Sequence, residues 1–67
     1  MRDDDTVLKE LKKERNSLIE KRNKLENFLE ENKEMNFTHK ELLMEQLLIM
    51  YQYVGVLNRR IADLLGE

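Results

Sequence analysis

The chain has 67 residues, no Cys, no Pro, one His and a formal net charge of −2, with 39% of its side chains charged. A chain this short buries too little of its surface to be secure alone; disulfides are excluded as a supplement, and one His without a carboxylate loop excludes a structural metal, so self-association is left to complete the fold. Near-balanced charge gives no global attraction to nucleic acid or an anionic membrane, and no nucleophile, base and acid come together in a constellation an enzyme would need.

This composition, rich in charge yet free of Pro, is that of long helices. We read one all-α domain over residues 1–67: an antiparallel αα-hairpin with helix 1 over about 4–32 and helix 2 over about 39–65, assembling into a homo-oligomeric helical bundle. The opening MRDDDT is acidic and lacks an apolar segment, so no signal peptide is expected and a cytoplasmic location is.

Helix 1 carries Leu11, Leu18 and Leu25 every seven residues, with Leu8, Arg15, Arg22 and Leu29 as the companion series. Asp3, Asp4 or Asp5 can cap its start. Lys12, Lys13, Lys21 and Lys24 interleave with Glu10, Glu14, Glu20 and Glu26, which cancels the field and makes a salt-laced solvent face rather than a nucleic-acid surface. Arg15 and Arg22 occupy seam positions where Leu would be expected. Either their stems lie on the core edge with heads reaching water or an acid such as Asp63, or two guanidinium groups face an anion between helices.

The seam lapses over Asn32 to Asn36, which serve as the connection. Thr38 followed by Glu41 reads as a capping box, with Phe37 packing on Leu42 as a hydrophobic staple, so helix 2 is expected to begin at His39, itself exposed, and to stop at Gly66. Antiparallel packing then sets Leu29 near Leu43, Leu25 near Leu47, Leu18 near Val54 and Leu11 near Ile61.

Helix 2 contains the apolar run LLMEQLLIMYQYVGVL, residues 42–57, broken by Glu45, Gln46 and Gln52 and shorter than the roughly 20 residues a membrane span needs. Its seam is Leu43, Leu47, Met50, Val54, Leu57, Ile61 and Leu64. Leu42, Ile49 and Val56 widen the apolar arc on one side; Met44, Leu48, Tyr51, Gly55, Ala62 and Leu65 widen it on the other. One partner helix cannot cover that arc, and each large side chain left wet forgoes roughly 1.5 to 3 kcal/mol, so helix 2 should lie at the centre of an oligomer with Leu48, Tyr51, Gly55 and Ala62 at the interface. Gly55 either marks a close helix crossing or leaves room for a ligand beside Tyr51. Gln46, Tyr53 and Arg60, spaced by seven on the flank of the arc, are either a hydrogen-bond network fixing register or an amide, an aromatic platform and a cation for a nucleotide-like ligand.

The pattern LLxxQLxxMxxYxxVLxxRI, carried by Leu42, Leu43, Gln46, Leu47, Met50, Tyr53, Val56, Leu57, Arg60 and Ile61, resembles the small helical-hairpin proteins of crAss-like and other tailed phages, with a looser match at Arg22, Lys24, Leu25, Phe28 and Leu29. The resemblance implies a phage accessory protein that counters bacterial defence in the cytoplasm of an infected host, without catalysis and without a cofactor. On this expectation a cyclic oligonucleotide or cyclic ADP-ribose-like signal is sequestered between protomers, with Arg15, Arg22, Tyr53 and Arg60 contacting it and Gln46 reading an edge. The alternatives are a protein-protein inhibitor of a host defence effector, anti-CRISPR-like and acting through the charged face of helix 1, and a purely structural coiled-coil adaptor.

Overall fold

Asp3 fixes where the first helix begins. In the computed structural model, which describes residues 3–66 and leaves residues 1, 2 and 67 outside the description, Asp3 is extended and accepts the Thr6 N–H at 2.8 Å. That bond satisfies one of the donors a helix start leaves open, and it holds the Asp3 carboxyl below its ordinary pKa. Asp4 and Asp5 add negative charge in the first turn, where the helix dipole favours it. Helix α1 runs Asp4–Glu31 and closes at Asn32, whose backbone and side-chain N–H groups donate to the Phe28 carbonyl at 3.0 and 2.9 Å.

Helix α2 runs Phe37–Leu65, so the start expected at His39 is corrected by two residues. Asn36 is the cap, its Oδ1 accepting the His39 N–H at 3.2 Å, and the Asn36 carbonyl already takes the Lys40 N–H at 2.9 Å. Asn is a stronger cap than Thr, and capping at Asn36 gains an extra half-turn of helix, so Thr38 falls inside the first turn instead of ahead of it. The staple does not form either: Phe37 is 73% and Leu42 59% exposed. At the other end Gly66 stops the helix in the left-handed conformation, φ 77°, with its N–H turned back to the Ala62 and Asp63 carbonyls. A side chain at that φ would be strained.

The two helices pack against each other as an antiparallel hairpin measuring 48 × 21 × 14 Å. Arg15 meets Asn58 and Arg22 meets Tyr51 across the pair, and Leu11 packs with Ile61, one of the expected neighbours. The core is small and lies toward the end where the termini meet. Leu11, Leu57 and Ile61 form it, with Val7, Leu8, Leu18 and Leu64 packed around them, and Leu57 is wholly covered. Val54 is buried further along the seam. By contrast Leu42, Met44, Leu48, Ile49 and Val56 of α2 are all exposed, because α1 covers only the side of α2 that faces it.

Candidate functional site

Residues two apart on a helix point about 200° apart, so Tyr51 and Tyr53 leave α2 on opposite flanks of the seam. Each tyrosine meets a different edge of α1.

On the first flank the guanidinium carbon of Arg22 stands 4.3 Å from the centroid of the Tyr51 ring, a cation–π stack. The Tyr51 hydroxyl donates to Glu26 Oε1, and the same oxygen lies 3.8 Å from Arg22 Nε. That separation is an ion pair but too long for a hydrogen bond, and Arg22 Nε, shut away from solvent, has no hydrogen-bond partner. Arg22 Nη2 donates to Asn23 at 3.4 Å. One heptad earlier, Arg15 donates from Nε to Asn16 at 3.2 Å and from Nη1 to Asn58 at 3.3 Å. Arg15 is therefore aimed by neutral amides, which orient a guanidinium without cancelling its charge.

From Glu26 toward the connection, a groove of about 350 Å³ opens between the helices, with Leu29, Met44 and Leu47 as apolar floor and Glu30, Lys33 and Lys40 as its other polar walls, Lys33 and Glu30 being ion-paired at 3.9 Å. That volume is in the range of small-molecule sites. A larger recess of about 480 Å³ at the turn is walled by Glu30, Glu31 and Glu34 against Lys33, a charge balance that repels an anion.

On the second flank the Tyr53 hydroxyl donates to Glu14 Oε1, and Gln46 and Arg60 are exposed. Arg60 borders a shallow recess with Val7, Leu11, Asp63 and Leu64. The residues expected to bind ligand are thus divided within the chain: Arg15 and Arg22 share a flank with Tyr51, while Gln46, Tyr53 and Arg60 lie across the seam. The four residues expected at an oligomer interface keep company with the arginines. Leu48 is 57% exposed, Gly55 and Ala62 are half-buried, and a Cβ built at Gly55 would meet nothing within 4 Å, so α1 makes no close crossing there. Neither arginine bonds to Asp63, which stands beside Arg60 instead.

Sequence reasoning passed over Glu26, Asn58, Lys33 and Lys40. Asn58 had a signal, since it lies seven beyond Tyr51 as Arg22 lies seven beyond Arg15, so matched heptads in an antiparallel register bring the two pairs together. Lys40, Met44, Leu47 and Tyr51 follow the four-three-four spacing of one helix edge. Among the described residues no group of three or more His, Asp or Glu could hold a metal, and no helix is long and apolar enough to cross a membrane.

Both phenols are raised above their ordinary value of 10.0, chiefly by the hydrogen bonds they donate to Glu26 and Glu14; burial and the carboxylate charges push the same way, and Arg22 and Arg60 oppose. A group whose folded pKa is raised stabilises the fold below its unfolded value and ceases to do so as pH climbs through the folded one. Titration of phenolate absorbance is expected to show both tyrosines ionising above the ordinary value, with Tyr51→Phe and Tyr53→Phe each removing one component. Ionisation at the free-phenol value would mean that the bonds to Glu26 and Glu14 do not persist in solution.

Residues 5–63 match a protein-family model described as Sequestin. No curated protein and no solved structure matches the chain.

Proposed function

The chain belongs to the Sequestin family, and on that premise we propose that it sequesters a nucleotide-type signal, a cyclic oligonucleotide or a cyclic ADP-ribose-like molecule, and so counters a bacterial defence as a phage accessory protein. It does so by binding alone. A hairpin of this kind removes a signal in proportion to its own abundance and affinity, so the chemistry needed is recognition of phosphate and base.

The observation that carries this reading is the Arg22–Tyr51 stack, which is joined through Glu26 to the groove floored by Leu29, Met44 and Leu47. A nucleotide presents phosphate oxygens, which suit a guanidinium fork, and a flat base, which suits an aromatic or apolar wall. Arg22 supplies the fork already held in place by a ring. Arg15, about 10 Å along α1 at 1.5 Å per residue, supplies a second for a ligand with more than one phosphate. Lys40 adds positive charge at the far end, where Lys33 is paired with Glu30 at 3.9 Å, and Glu26 must turn aside as the anion enters.

Leu48, Gly55 and Ala62 continue this flank beside Tyr51, so a second protomer laid over it would close on the ligand and exclude water. Gln46, Tyr53 and Arg60 lie on the opposite flank of the hairpin, so the ligand on the Arg22 flank is held without them.

Isothermal titration calorimetry of the purified chain with cyclic dinucleotides, cyclic trinucleotides and cyclic ADP-ribose isomers tests the proposal. Saturable heat with at least one of them, and recovery of that compound unaltered after denaturing the complex, is the expected result. No heat with any of them overturns it, and turnover of the compound would overturn sequestration as the mechanism.

A further inference from the structure

Helix α2 carries a second heptad seam that α1 leaves exposed, reaching it only at its edge through the Glu14–Tyr53 hydrogen bond and the recess beside Arg60. Leu42, Gln46, Ile49, Tyr53, Val56 and Arg60 are spaced four, three, four, three, four, and all six are exposed. This seam lies about 100° around the helix from the one that holds α1, close to the angle between the two neighbours of a helix in a four-helix bundle. We propose that the occupant of this seam is α2 of a second copy of the same chain, packed antiparallel about a two-fold axis, in a dimer that forms without ligand.

Charge placement argues for a second copy and for its direction. The N-terminal half of α2 carries Glu41 and Glu45, and its C-terminal half carries Arg59 and Arg60. Two α2 helices laid head to tail bring the partner's Arg60 to the turn of Leu42, beside Glu41 and Glu45, while Gln46 meets the partner's Val56 and Ile49 meets the partner's Tyr53. Each layer then pairs one aliphatic side chain with one amphipathic side chain whose stem or ring packs and whose polar tip reaches the rim. A parallel pair would set Arg60 against the partner's Arg60 and Gln46 against the partner's Gln46, which like charge and an isolated amide layer disfavour.

Tyr53 is prepared for that burial. Its hydroxyl is already bonded to Glu14 within its own chain, so the ring can be covered without leaving a polar group unmet. Helix α1 has no equivalent seam, since on the same side it presents Glu14, Ser17 and Lys21. The dimer is therefore built on paired α2 helices with α1 on the outside, and the Arg22–Tyr51 flank remains free on each protomer. This assembly needs no nucleotide, so it and the ligand reading stand or fall separately.

The absence of cysteine makes the test clean. Sedimentation equilibrium of the unmodified, ligand-free chain is expected to give about twice its 8.1 kDa mass. Ile49→Glu should weaken the dimer by about tenfold or more, because it puts an unpaired charge into a buried layer, whereas Leu48→Glu on the other flank should not. Because a seam variant can also lose its fold, register is tested separately: Leu42→Cys mixed with Arg60→Cys should form a disulfide-linked heterodimer under mild oxidation, while either variant alone should not crosslink. A monomer at all concentrations overturns the proposal, as does a crosslinked Arg60→Cys homodimer. A dimer that survives Ile49→Glu but dissociates with Leu48→Glu would place the second copy on the other flank and overturn it as well.

Discussion

Leu57→Ala is expected to abolish the hairpin at ordinary temperatures. Leu57 is wholly buried between Leu11 and Ile61, at the centre of a core in which only four hydrophobic side chains among the described residues are buried. Deleting such a leucine costs about 2 to 5 kcal/mol through lost transfer energy and the cavity left behind. A chain of this length has only about 3 to 10 kcal/mol in hand, from roughly 0.05 to 0.15 kcal/mol per residue, so the loss consumes much or all of it. Two helices also cannot collapse inward to fill the gap without giving up their register. Phe37→Ala removes a larger side chain, yet Phe37 is 73% exposed and its loss should stay within about 0.5 kcal/mol. Thermal unfolding followed by far-ultraviolet circular dichroism distinguishes the two; equal midpoints would show that the Leu11–Leu57–Ile61 cluster is not what holds the helices together.

The hairpin was legible because its signals are local and periodic. Leucines seven apart on α1, the four-three seam of α2 and the lone Gly66 at its end follow from helix geometry alone, and the antiparallel register follows from matching the seams. The start of α2 was misjudged where two capping signals two residues apart compete, and the intrinsically better cap, Asn36, prevailed over Thr38. The candidate site was legible in kind and not in grouping. Arg15 and Arg22 stood out as cations on a hydrophobic seam, and Gln46, Tyr53 and Arg60 as polar residues on a widened apolar arc. Nothing in one helix's periodicity tells which edge of the other helix it will meet. That is decided by the sense in which the hairpin closes, which sends Arg22 to Tyr51 and Glu14 to Tyr53. The roles of Glu26 and Asn58 depend on the same closure.

Arg22→Ala is expected to cost about tenfold to a hundredfold in affinity for a nucleotide ligand that the calorimetric panel identifies, since a charge-assisted contact to phosphate is worth about 1.5 to 3 kcal/mol. Two effects combine in that loss. The fork that grips the phosphate goes, and Tyr51 loses the plane that fixes its ring 4.3 Å from the guanidinium carbon. Arg22→Lys separates them, because an ammonium keeps the charge but neither forks nor stacks as a plane; it should recover only part of the affinity. Tyr51→Phe keeps the ring and loses the bond to Glu26, which lets that carboxylate tighten its existing ion pair with Arg22 and compete with the anion, so a modest weakening is expected. Arg60→Ala, on the opposite flank, is expected to leave affinity nearly unchanged. Far-ultraviolet circular dichroism of each variant guards against loss of fold, a small risk because Arg22 contributes an edge contact rather than core. Full affinity in Arg22→Ala, with the hairpin intact, would remove this flank as the ligand site whatever the ligand proves to be.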